Sequence, residues 1–139
     1  MTCYADLKII AEDRLDDAKA LYQARRYDGT AYLCGYVLEV ALKARICKLL
    51  ELDEYPCTGV FKQAFATHDL SVLLKLAGLE KEISLSKSKN YNLFIQWSMM
   101  ISWNWDPEMR YRIMNKNKKE VGNMLVVLIH IFKWLKNYW

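Results

Sequence analysis

Apolar positions recur every three to four residues along most of the chain, the repeat that sets one face of an α-helix against a core. Between Tyr4 and Arg25 they are Leu7, Ile10, Ala11, Leu15, Ala18, Leu21 and Tyr22, and Asp6, Glu12, Asp13, Asp16 and Asp17 take the wet side. A break is expected at Tyr27-Asp28-Gly29, where the Asp28 carboxylate can accept from the free amides that open the next helix. That second helix runs to about Leu50 with Ala31, Cys34, Gly35, Leu38, Ala41, Leu42, Ile46 and Leu49 inward. A short connection makes these two helices antiparallel neighbours.

Glu51 to Gly59, with Pro56, reads as a connection, and Phe61 to Phe65 as a short helical piece. Thr67-His68-Asp69 then precedes a third helix rich in leucine that ends at Ala77-Gly78. Ser84 to Lys89 reads as a polar link into a fourth helix, Tyr91 to Trp103, stopped by Trp105-Asp106-Pro107-Glu108. The final helix begins between Asn115 and Glu120 and continues close to Trp139, with Val121, Met124, Leu125, Leu128, Ile129, Phe132 and Leu135 inward. No β pattern and no repeat is found. The expected fold is all-α, an antiparallel up-and-down bundle of four main helices plus one short helix, with residues 1–139 forming a single domain.

Composition agrees: 139 residues, 53% hydrophobic, with only five Gly and two Pro, suit one core built from long elements. The longest apolar stretch, Met124 to Phe132, falls far short of the roughly 20 residues a membrane span needs. The opening residues Met1 to Asp6 lack the basic and apolar regions of an export signal, so a cytoplasmic protein without membrane association is expected. Cys3, Cys34, Cys47 and Cys57 are widely spaced, with no Cys-x-x-Cys pair and no zinc-ligand spacing, so neither a metal nor another cofactor is expected.

Charge changes the picture at one end. The formal charge is +4, and residues 106–139 hold seven basic and three acidic groups. Most of the excess lies in Arg110, Arg112, Lys116, Lys118 and Lys119, beside Trp103, Trp105 and Tyr111. Guanidinium groups among aromatic rings suit phosphate neutralisation and base stacking. The Pro107 turn would present Glu108, Arg110 and Tyr111 together. On the second helix, Glu39 and Lys43 are four apart and share a face with Tyr32 and Tyr36, either as a simple ion pair or as a polar groove. His68 beside Asp69 reads as a helix-start pair or as a proton donor and phosphate contact. Arg26 stands at the turn between the long helices, for packing or for an anion. Trp134, Tyr138 and Trp139 suit a dimer seam.

Two stretches go further. Arg25 to Tyr36 (RRYDGTAYLCGY), continued by Val37-Leu38-Glu39-Val40-Ala41-Leu42-Lys43-Ala44, together with Phe65-Ala66-Thr67-His68-Asp69-Leu70, resembles the HEPN family, the nucleotide-binding domains of higher eukaryotes and prokaryotes. The resemblance spans residues 1–79 by motif and 80–139 by length and helix count. It implies a helical bundle, often dimeric, that works with a nucleotidyltransferase and acts in toxin–antitoxin or phage-defence settings. Members either cleave RNA or bind nucleotides. The cleaving branch uses an Arg followed after four to six residues by His. Neither His68 nor His130 has an Arg at that distance, and Asn123 stands six residues before His130. A neutral Asn cannot stabilise the charge of a phosphorane-like state as Arg does.

The resulting expectation is a nucleotide- or RNA-binding module, homodimeric and partnered by a nucleotidyltransferase, rather than an enzyme of the usual family type. Its candidate ligand-binding residues are Arg26, Tyr32, Tyr36, Glu39, Lys43, His68, Asp69, Glu108, Arg110, Tyr111 and Arg112. The alternatives are a metal-independent ribonuclease toxin using His68 with a non-standard arginine, and a dimeric protein-binding adaptor.

Overall fold

The computed structural model describes residues 2–89 and 91–139; Met1, at the head of the segment read for an export signal, lies outside them. Seven α-helices account for the regular structure among the described residues: α1 (Tyr4–Gln23), α2 (Tyr27–Leu50), α3 (Lys62–Phe65), α4 (Leu70–Leu76), α5 (Glu80–Lys89), α6 (Tyr91–Ser102) and α7 (Lys118–Leu135). Short 3-10 turns precede α3 at Gly59–Phe61 and α7 at Pro107–Tyr111. The protein is all-helical, as the periodicity predicts.

α2 is the central element, packed against α1, α4, α7 and the 107–111 turn, while α5 packs on α6 and α6 on α7. Its sequence explains that place. Ala31, Cys34, Gly35, Val37, Leu38, Val40, Ala41, Leu42, Ala44, Ile46 and Cys47 are all buried, so the helix is apolar nearly all round. Leu49, expected inward, is exposed near the end of the helix, with one edge against Gly78.

Two expectations are corrected. The break between the long helices falls at Ala24 to Arg26, not at Tyr27-Asp28-Gly29, which form the first turn of α2. Arg25 takes the left-handed conformation there, φ 62°, and Arg26 N donates to Leu21 O at 2.8 Å, closing α1 in the manner usually given to glycine. Asp28 caps no helix. Its carboxylate accepts instead from the amides of Met114 (2.9 Å), Asn115 (3.2 Å) and Lys116 (2.8 Å), tying the 112–117 segment to α2 across 86 residues of sequence.

The second correction is α5, which occupies the region read as a polar link. Leu79, Ile83 and Ser86 are buried at helical spacing, and Ser86 Oγ satisfies itself on Ile83 O at 2.6 Å. Glu80 and Glu82 in its first turn complement the positive end of the helix dipole. The bundle therefore contains one more substantial helix than the four expected.

The carboxy-terminal rings pack on their own chain. Trp139 meets Phe132 edge-on at 5.5 Å, Tyr138 meets Trp134 at 5.3 Å, and Arg45 Nη1 donates to Tyr138 O at 3.0 Å. No helix among the described residues is long and apolar enough to cross a membrane.

Candidate functional site

Tyr32, Tyr36, Glu39 and Lys43 follow one another by four, three and four residues, which places them on a single face of α2. Glu39 is the unexpected member. The sequence suggests a wet stripe, yet this glutamate is only 3% exposed. A buried carboxylate needs partners, and one oxygen, Oε1, receives both Lys43 Nζ at 2.7 Å and His68 Nδ1 at 2.8 Å. Lys43 is itself held from below, with its ammonium 5.2 Å from the centre of the Tyr55 ring. Tyr55 is fixed in turn by donating its hydroxyl to Phe65 O at 2.7 Å.

His68 reaches Glu39 because the start of α4 is rigid. Asp69 is the N-cap: its Oδ1 accepts from Ser71 N at 2.9 Å and Val72 N at 3.1 Å, and its own amide donates to Thr67 Oγ1 at 3.1 Å. The expected capping role of Asp69 is thus seen directly, one residue after His68. Because a carboxylate only accepts, His68 Nδ1 is the donor, and the neutral ring leaves its lone pair on Nε2. The side chain of His68 is 60% exposed, so that nitrogen is open to a ligand.

One turn back along α2, Tyr32 and Tyr36 lie parallel, 6.3 Å apart with 8° between their planes. Burial first, then the Glu39 carboxylate, push the Tyr36 phenol above its ordinary pKa, and the Arg14 guanidinium on α1 opposes them. The Trp105 ring stands 6.3 Å from Tyr32, and its indole Nε1 donates to Tyr32 O at 2.8 Å. This approach is possible only because residue 35 is glycine: a Cβ there would lie 2.1 Å from the Trp105 ring.

The segment that follows Trp105 brings Arg110 to the same face. Hydrogen bonding to Tyr32, and then to Tyr111, raises the Arg110 pKa, and its guanidinium lies 5.0 Å from the centre of the Tyr111 ring. Tyr111 is 74% exposed. Between His68–Ser71 on one side and Met100–Pro107 on the other is a hollow of about 320 Å³. A second, of about 240 Å³, lies between His68 and Lys43, Tyr55 and Cys57, so that His68 lines both.

Not every expected residue joins this group. Arg26 is exposed at the far end of α2, about 25 Å along the helix from Lys43 at 1.5 Å per residue, and lines a separate hollow with Arg25, Asn115 and Lys116. Glu108 is exposed, and only its backbone is engaged, donating to Asp106 Oδ1 at 2.7 Å. Arg112 is paired with Asp106 Oδ2 at 3.0 Å, and Lys116 with Glu120 at 2.9 Å, so the ten-residue basic window carries less free charge than its sequence suggests. Three participants escaped the sequence reading: Arg14, Tyr55 and Gly35. Only Gly35 left a trace there, as a small residue on an inward stripe.

The central helix of this all-helical body thus carries a buried glutamate, gripped by a lysine one turn on and by a histidine from the head of a later helix. A family model for the HEPN domain matches residues 4–138, and the chain belongs to that family. No curated protein and no solved structure matched.

Proposed function

We propose that this chain is a HEPN module that binds a nucleotide or the phosphodiester backbone of RNA on the face of α2. One observation carries the reading: Glu39, gripped by Lys43 and by His68 from the head of α4, shares its helix face with the parallel Tyr32 and Tyr36 rings, and His68 lines the 320 Å³ hollow. Arg110 suits phosphate, which a guanidinium can hold with two parallel hydrogen bonds. Tyr111, largely exposed, offers a ring face to a base. At the other end His68 Nε2 can accept a hydrogen bond from a ribose hydroxyl. The family itself is consistent with nucleotide- or RNA-related work. In this reading the module is a homodimer and acts beside a nucleotidyltransferase in a toxin–antitoxin or defence setting.

The test is binding of fluorescently labelled single-stranded RNA and of labelled nucleotides by the purified chain across a salt series. Affinity should fall steeply as salt rises, because phosphate contacts release counterions. His68→Ala and Arg110→Ala should each weaken binding. Absence of binding to RNA and to every nucleotide at low salt rejects the reading.

The Glu39–His68 pair favours a second reading, metal-independent cleavage of RNA. His68 Nε2 would take the proton of a ribose 2′-hydroxyl as its oxygen attacks the adjacent phosphorus, and the departing 5′-oxygen would take a proton from water. Incubation with total RNA in a chelator tests it. Intact RNA, or cleavage unchanged in His68→Ala, removes it while leaving the binding measurement untouched.

A further inference from the structure

The second histidine stands in a setting opposite to the first. A hollow of about 380 Å³ lies between α6 and α7, and Gln96, His130, Lys133 and Trp134 help to line it. No carboxylate lines it among the described residues. Gln96 Nε2 is 2.6 Å from His130 Nδ1. An amide nitrogen donates and cannot accept, so Nδ1 is the acceptor. A neutral imidazole that accepts on Nδ1 carries its proton on Nε2. His68 thus offers a lone pair at its outer nitrogen, while His130 offers an N–H. His130 and Lys133 are exposed and Trp134 is half-buried. Lys133 and Trp134 follow His130 by three and four residues, so an N–H donor, an ammonium and an indole share one face of α7.

We propose that this hollow binds a phosphate monoester carried on a planar ring, of the size of a nucleoside monophosphate. The phosphate accepts from His130 Nε2 and pairs with Lys133, and the ring packs on the Trp134 indole. A phosphate suits this set because its oxygens only accept and both polar groups only donate. The Trp134 ring gives the planar part an apolar and π-rich wall. The site uses none of the α2 residues and does not depend on the reading of that face.

The experiment is a titration of the full chain followed through the Trp134 indole and His130 ring signals in nitrogen-15 NMR spectra, with AMP, adenosine, inorganic phosphate and benzoate as probes. AMP should move both signals, adenosine and phosphate alone should bind more weakly, and His130→Ala and Lys133→Ala should each weaken AMP about tenfold. The proposal is overturned if neither signal moves by about 10 mM AMP, if adenosine or benzoate binds as well as AMP, or if His130→Ala binds like the unaltered chain. AMP binding that spares Trp134 and vanishes in His68→Ala would place the ligand on α2, rejecting this site and supporting the other.

Discussion

Glu39 Oε1 accepts from His68 Nδ1 at 2.8 Å across 29 residues of sequence, while Lys43 Nζ shares the same oxygen at 2.7 Å. A carboxylate that is 3% exposed is tolerated only with such partners. Glu39→Gln keeps the shape and removes the charge, leaving the Lys43 ammonium facing a neutral amide. The expected loss is about 3–5 kcal/mol of unfolding free energy, the scale for breaking a buried pair from one side. His68→Ala should cost far less, since that ring is largely exposed. Urea unfolding of the two variants checks the ranking; equal midpoints for Glu39→Gln and the unaltered chain would show that the pair contributes nothing.

Gly35→Ala is expected to invert a familiar rule. In a helix interior alanine is favoured over glycine by about 1 kcal/mol. Here the added Cβ would sit 2.1 Å from the Trp105 ring, and an indole is a rigid plate hydrogen-bonded to Tyr32 O. The ring must leave the helix, at a cost of about 1–3 kcal/mol for an overpacked site. In a Trp105→Ala background the same substitution should become neutral or stabilising. Thermal unfolding of the four proteins measures the coupling directly, and additivity of the two substitutions would refute the contact.

The Gly35–Trp105 contact also shows how far the sequence could be read. Periodicity located α1, α4, α6 and α7 because each shows an apolar stripe against a polar one, whereas α2, apolar nearly all round, was legible from its length and the turn residues at its ends. α5 was hidden: its serines and lysines mimic a linker, and among its described residues Ile83 and Ser86 carry the buried face, with Leu79 just before it. On the site, the four-residue spacing of Glu39 and Lys43 was visible. Its burial was not, because burial depends on which later segments cover α2. The meetings of Glu39 with His68, of Gly35 with Trp105 and of Asp28 with residues 114–116 are long-range, and no local spacing encodes them.

Asp28 gives the fold an acid-sensitive tie. Partial burial pushes its carboxyl up, but the amide hydrogen bonds from Lys116, Met114 and Asn115, with the Lys116 charge, outweigh that and hold its pKa below 3.8. A group depressed in the folded state stabilises the fold above its unfolded pKa, and that stability is lost as pH falls through the folded value. The chain should therefore lose stability below about pH 4, and Asp28→Asn should flatten that part of the profile. At neutral pH the same variant should be weaker by about 1–2 kcal/mol, since one amide-binding oxygen is replaced by a donor. An unaltered acid limb in Asp28→Asn would assign the sensitivity elsewhere.

The four thiols should divide two and two. Cys34 is fully buried, and that burial pushes its thiol up to about 12. Cys47 is likewise buried and is pushed to about 11 by burial first and by the nearby Cys3 second. Both are inert as nucleophiles near neutral pH. Cys3 and Cys57 are half-exposed. Native alkylation followed by mass spectrometry should mark Cys3 and Cys57, with Cys34 and Cys47 modified only after unfolding. Rapid native labelling of Cys34 would contradict the packing of α2.

The two neighbouring arginines, alike in sequence, should differ in function. Arg112 is engaged with Asp106 at 3.0 Å, and a ligand phosphate must compete with that carboxylate. Arg110 lies 5.0 Å from the centre of the Tyr111 ring, and no carboxylate among the described residues pairs with it. If phosphate is bound there, Arg110→Ala should weaken binding about tenfold and lower the salt slope by about one, the loss of a single phosphate contact. Arg112→Ala should change affinity by less than about threefold, since removing it also frees Asp106 to repel the ligand only weakly through solvent. Asp106→Asn gives the opposite sign: it releases Arg112 and should tighten binding slightly while raising the salt slope. Equal losses in Arg110→Ala and Arg112→Ala would mean that the anion is read by the net charge of the segment and not by the Arg110 guanidinium in particular.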